Sequence, residues 1–160
     1  MTQPTANFLV SHPAHFIALG FGSGLAPRAP GTFGTLAALP LYWLLQSWLA
    51  LPALLAVIAA GFALGIWACA VAGKNLGVSD HGGIVWDEIV AMWLVLAFTP
   101  ASWLGWLAAF GLFRFFDILK PWPIRFFDTR LKNGFGVMFD DMLAALYALL
   151  IIKGWQWLGA

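Results

Sequence analysis

Apolar residues along this chain fall into five long runs, none with the period-two alternation of strands, and the pattern predicts helices throughout. The runs cover 35–50, 52–72, 84–98, 101–119 and 137–152, and residues 15–25 (HFIALGFGSGL) are a candidate short interfacial helix. A straight span of a bilayer needs about 20 residues. The first and third runs are short for that, so each is compatible with tilting, with local thinning of the bilayer, or with dipping and returning. Tight uncharged turns at Leu51-Pro52 and Thr99-Pro100 join the first run to the second and the third to the fourth. The remaining connections, 20–34, 73–83 and 120–136, are long and rich in Gly and Pro, and alternating passes place all three on one face. The expected fold is all-α: a polytopic membrane bundle of about five apolar helices, one or two of them re-entrant, forming a single domain over 1–160.

Composition sharpens this picture. Apolar residues make up 62% and charged residues 9% of the chain, where soluble domains carry about a quarter charged. Arg28, Lys74, Arg114, Lys120, Arg125, Arg130 and Lys132 lie toward the long loops, against Lys153 alone on the other side, which makes the long-loop face cytoplasmic. Trp48, Trp103, Trp106, Trp155 and Trp157 mark the opposite interface. No signal peptide is expected at 1–16, and a net charge of +1 gives no field for nucleic acid. Cys69 is the only cysteine, so neither an intrachain disulfide nor a thiolate zinc cluster can form.

Every acid lies in the cytoplasmic half: Asp80, Asp87, Glu88, Asp117, Asp128, Asp140 and Asp141. A carboxylate at mid-membrane costs roughly 2.5–3.5 kcal/mol, so adjacent pairs at the starts of apolar helices ask for a reason beyond hydration. Helix-start acids that simply meet water are one. A hard cation such as Mg²⁺, held by a few carboxylates together with substrate phosphate, is the other. Asp87, Glu88, Asp140 and Asp141 are the candidate ligands, with Asp117 as a further ligand or supporting partner. Arg114 is within helical reach of Asp117, as ion-pair partner or functional group. Glycines precede three helices, at Gly31 and Gly34, at Gly82-Gly83, and at Gly134 and Gly136. Such starts let backbone approach an anion. Gly31 and Thr32 are therefore candidate phosphate contacts, although Thr32 or Thr35 serves equally well as a helix cap. Gly61 and Gly65 read as a packing face. Lys120 and Arg125, stiffened by Pro121 and Pro123, are candidate phosphate-neutralising cations. His81, next to Asp80, is a candidate for proton transfer or an ordinary loop histidine, and Asp128 is a candidate partner for Arg125.

The segments GFGSGLAPRAPGTFGTLAALP, HGGIVWDEIVAMW, FDILKPWPIRFFD and GVMFDDMLAAL together resemble the phosphatidylglycerophosphatase A family, in its order, over residues 15–147. The resemblance implies a Mg²⁺-dependent phosphatase of bacterial phospholipid synthesis. Such an enzyme removes the phosphomonoester of phosphatidylglycerophosphate in the cytoplasmic leaflet of the inner membrane; homo-oligomerisation stays open. Other phosphatase chemistries lack their motifs here: there is no DxD nucleophile, no Cys-x5-Arg (Asn75 stands six residues after Cys69) and no PSGH. The roles expected are Asp80, His81 and Glu88 in catalysis, and Asp87, Glu88, Asp117, Asp140 and Asp141 at the metal. Gly31, Thr32, Lys120 and Arg125 would hold phosphate. The rival reading is a small cation-binding membrane transporter, in which intramembrane acids are ion ligands.

Overall fold

The computed structural model describes residues 3–159. Every regular element among them is helical: α1 (Ala6–Val10), α2 (Pro13–Ala18), a 3-10 turn (Gly20–Leu25), α3 (Pro30–Trp48), α4 (Leu51–Leu76), α5 (Trp86–Ala97), α6 (Trp103–Leu119), α7 (Ile124–Arg130) and α8 (Gly134–Trp157). The five apolar runs appear as α3, α4, α5, α6 and α8. Two of them, α4 and α8, are long and apolar enough to cross a membrane. That is fewer than the five expected, because α5 and α6 have 12 and 17 residues and the more polar α3 has mean hydropathy too low.

The centre of the bundle is its shortest apolar helix. Ten of the 12 residues of α5 are buried, and α3, α4, α6 and α8 all pack against it. At 1.5 Å per residue it extends roughly 18 Å, less than a bilayer's hydrocarbon core. Gly61 and Gly65 of α4 are indeed a packing face. A β-carbon on Gly65 would lie 2.4 Å from Met138 Sδ and 2.7 Å from Trp86, and the Trp86 indole donates to Gly61 O at 2.9 Å. Apolar side chains also cover the outside, among them Leu36 and Trp43 on α3, Leu107 and Ile118 on α6, and Leu150 on α8.

Two elements escape the apolar pattern. One is α1, capped by Thr5. The other is α7, which folds inside the 120–136 loop, where its seven residues between Pro123 and Leu131 are too few to show a helical period. His12 and His15 have structural tasks: His12 Nδ1 caps α2 by accepting from Ala14 N–H at 3.1 Å, and His15 Nε2 lies 2.8 Å from Asn75 Nδ2 at the end of α4. Val85 N–H donates to Ala18 O at 2.9 Å, which fixes the start of α5 against α2.

Candidate active site

The starts of α3, α5 and α8 and the end of α6 meet at one end of the bundle, with the 73–83 loop and α7. Asp87 and Glu88 occupy the first turn of α5, where the helix dipole favours negative charge. The acid pair of α8 sits deeper than its run suggests. α8 starts at Gly134, capped by Asn133 Oδ1 accepting from Gly136 N–H at 2.9 Å, so Asp140 and Asp141 lie nearly two turns inside, each 3% exposed. The glycines of that start serve backbone packing: a β-carbon on Gly136 would fall 1.7 Å from Leu131 O.

The carboxylates form two groups. Asp87, Glu88 and Asp141 bring ligand oxygens within 4.8 Å of one another, and all three residues are buried; Asp80, Asp128 and Asp140 do the same, from exposed to buried. Asp87 Oδ1, Glu88 Oε2 and Asp141 Oδ2 are buried with no hydrogen-bond partner among the described residues, as is Asp140 Oδ1. Burying ionised oxygens unpartnered is costly. Hard cations take such oxygens as ligands, so the first group is chemically suited to one.

Two cations are already built in. Arg114 pairs with Asp117 Oδ2, lies 3.6 Å from Glu88 Oε1, and donates to Thr35 Oγ1 at 3.5 Å. Lys120 pairs with Asp140 Oδ2 and bonds Asp128 Oδ1 at 3.0 Å, and Lys132 stands 3.7 Å from the same Asp128 oxygen. Partial burial opposes the charge on Asp128, but the bonds and charges of Lys120 and Lys132 outweigh it and hold its carboxyl below the ordinary range.

Several residues sit differently from expectation. Asp128 pairs with Lys120 and Lys132, and Arg125 is exposed on α7 with no ion pair among the described residues. Asp117 lies outside both carboxylate groups, held by Arg114. His81 is buried, and its Nδ1 accepts from Gly83 N–H at 3.0 Å, an intraloop bond that leaves it unpaired with Asp80. The neutral ring then carries its proton on Nε2. Neither Thr32 nor Thr35 caps α3: the cap is Ala29, in left-handed conformation and without a side-chain bond, and Thr35 donates to Gly31 O at 2.8 Å. Gly31 itself touches the site, since a β-carbon there would lie 2.3 Å from Glu88 Oε1. Thr35 and Asp128 adjoin the site in roles other than those the sequence suggested, Thr35 donating to Gly31 O and Asp128 pairing with Lys120 and Lys132. The i, i+4 spacing from Gly31 was the available signal for Thr35; for Asp128 there was none without α7.

The phosphatidylglycerophosphatase A family model matches residues 16–156. A phosphatidylglycerophosphatase A of Haemophilus influenzae is 50% identical over 156 residues, covering 97% of this chain and 96% of the relative. One of Escherichia coli K12 is 43% identical over 151 residues, covering 92% and 87%. A Bacteroides thetaiotaomicron protein named putative phosphatidylinositol-3-phosphatase is 40% identical over 148 residues, covering 88% and 92%. No solved structure matches. The protein is a phosphatase. Within that class, the chain belongs to the phosphatidylglycerophosphatase A family.

Proposed function

We propose that the chain is a Mg²⁺-dependent lipid phosphatase of the bacterial cytoplasmic membrane. It hydrolyses the phosphomonoester of phosphatidylglycerophosphate to phosphatidylglycerol and phosphate, with its site facing the cytoplasm. The observation that carries this is the group of three buried carboxylates with unpartnered oxygens at one end of an apolar bundle. Asp87, Glu88 and Asp141 would hold the ion. When bound, Mg²⁺ supplies charge to stabilise the phosphate and acidifies a nearby water. Arg114, anchored by Asp117, orients Glu88 across the site. His81 offers an N–H donor at Nε2 for the leaving oxygen, and the exposed Asp80 is the carboxylate best placed to pass protons to solvent. Phosphate is also met by the start of α3 at Gly31-Thr32 and by the exposed Arg125. A transporter would need acids along a path across the bundle, whereas these collect at one end.

Phosphate release by the purified protein tests this reading. Turnover of phosphatidylglycerophosphate is expected to require Mg²⁺, and to exceed turnover of glycerol 3-phosphate by at least an order of magnitude, because remote contacts to the lipid contribute to transition-state binding. Equal rates on both substrates, or full activity in chelator, would refute it.

The membrane setting is supported by the exposed apolar side chains, Ile118 at 71% and Leu150 at 70% for example, which water would leave costly. With the long loops cytoplasmic, a reporter fused after Asn133 should score as cytoplasmic in cells. A fusion at Pro52 should score on the far side, or stay shielded if that hairpin only dips. A periplasmic signal at residue 133 would overturn the orientation.

A further inference from the structure

We propose that this end of the bundle takes one divalent cation, in the Asp87–Glu88–Asp141 group, and that the Lys120 ammonium is the resident cation of the Asp80–Asp128–Asp140 group. The proposal rests on the metal-dependent reading above and divides the two carboxylate groups between two kinds of charge.

By spacing alone the groups are equivalent, since each brings three ligand oxygens within 4.8 Å of one another. Their counter-charges separate them. Around the first, Asp87, Glu88, Asp141 and the adjoining Asp117 meet the single guanidinium of Arg114. Three of those residues also keep a buried oxygen with no partner. Around the second, three carboxylates meet two ammonium groups, Lys120 and Lys132. Its one unpartnered oxygen is Asp140 Oδ1, on the residue that gives its other oxygen to Lys120. Carboxylates therefore outnumber protein cations by three around the first group and by only one around the second, so the first is where a divalent ion is needed.

The backbone supports the assignment. Lys120 ends α6 in the left-handed region, at φ 43° and ψ 60°, its N–H bonded to Phe116 O at 2.8 Å. Glycine is the usual occupant of that conformation at a helix end. A lysine adopts it against steric resistance, and here it directs Nζ between Asp128 and Asp140. With two of its three donors engaged by carboxylates, the ammonium is a fixed charge and not a free phosphate hook. A two-metal phosphatase clamps the reacting oxygens between two ions; in this chain one of the two positions is written into the sequence.

Counting bound Mn²⁺ on the full-length protein in detergent, by electron paramagnetic resonance, tests the division. One ion per wild-type chain is expected, lost in Asp141→Asn and kept in Asp128→Asn. Lys120→Gly suits the left-handed backbone and removes the ammonium, so it should bind two ions, while Lys120→Arg should still bind one. Two ions on the wild type would overturn the proposal, as would a single ion on folded Lys120→Gly. An ion that survives Asp141→Asn and vanishes in Asp128→Asn would overturn it too, whether or not the glycine variant folds. No ion on the wild type would instead bring down the metal-dependent reading itself.

Discussion

Asp141→Asn should lower turnover roughly 10³-fold or more while leaving the protein folded and at least as heat-stable as the parent. A bound metal supplies several kcal/mol of transition-state stabilisation, at about 1.4 kcal/mol per decade of rate. An amide oxygen is a far poorer ligand for a hard cation than a carboxylate. The fold gains because Asp141 is buried among Asp87, Glu88 and Asp117, and removing one of several crowded like charges relieves repulsion without breaking an ion pair. Excess Mg²⁺ or Mn²⁺ should restore part of the activity. Asp140→Asn is not an equivalent test, since it strips Lys120 of a partner and is expected to cost stability as well as rate. Phosphate release measured beside a thermal melt distinguishes the cases, and full activity of Asp141→Asn at limiting Mg²⁺ would sink the proposed mechanism.

Gly31→Ala is expected to cost about 10²-fold in activity with little change in melting temperature. Its new methyl would lie 2.3 Å from Glu88 Oε1 and 3.1 Å from Arg114 Nη1. The end of a glutamate side chain is easily displaced, so the fold absorbs the intrusion. Glu88 does not keep its position, and a misplacement of about 1 Å at a reacting centre can cost that much. Gly111→Ala is the control: nothing lies within 4 Å of a β-carbon there, and alanine in a helix interior stabilises by roughly 0.5–1 kcal/mol. If Gly31→Ala keeps wild-type kcat/KM, the start of α3 does not take part in shaping the site.

The helices were legible because hydropathy alone decides them: each apolar run maps to one helix, with ends shifted by a few residues. The early start of α8 was hidden by Gly134-Phe135-Gly136, which look like a loop because glycine is a poor helix former, and which are helical because the start of α8 packs too closely for a side chain. Legible too was the convergence of acids, since three helices whose polar ends share one side of a bundle must bring them together. What could not be read was the pairing within the cluster. Asp128 reaches Lys120 because α7 folds within the 120–136 loop and packs on α8, and a seven-residue helix set between Pro123 and Leu131 leaves no periodic trace. His81 shows the same limit: a carboxylate next in sequence says nothing about which way the ring turns, and it turned toward Gly83.

The enclosure of α5 governs how the molecule comes into being. A helix with ten of 12 residues covered by protein owes its place to its neighbours, and α3 and α4, which precede it in the chain, supply one part of that cover. Its remaining cover is α6 and α8, and α8, which begins some 40 residues further along the chain, brings Asp141 with it. A chain cut short before α8 would lack Asp141 and so the last acid of the group. The three-carboxylate group is thus complete only where α8 packs against α5.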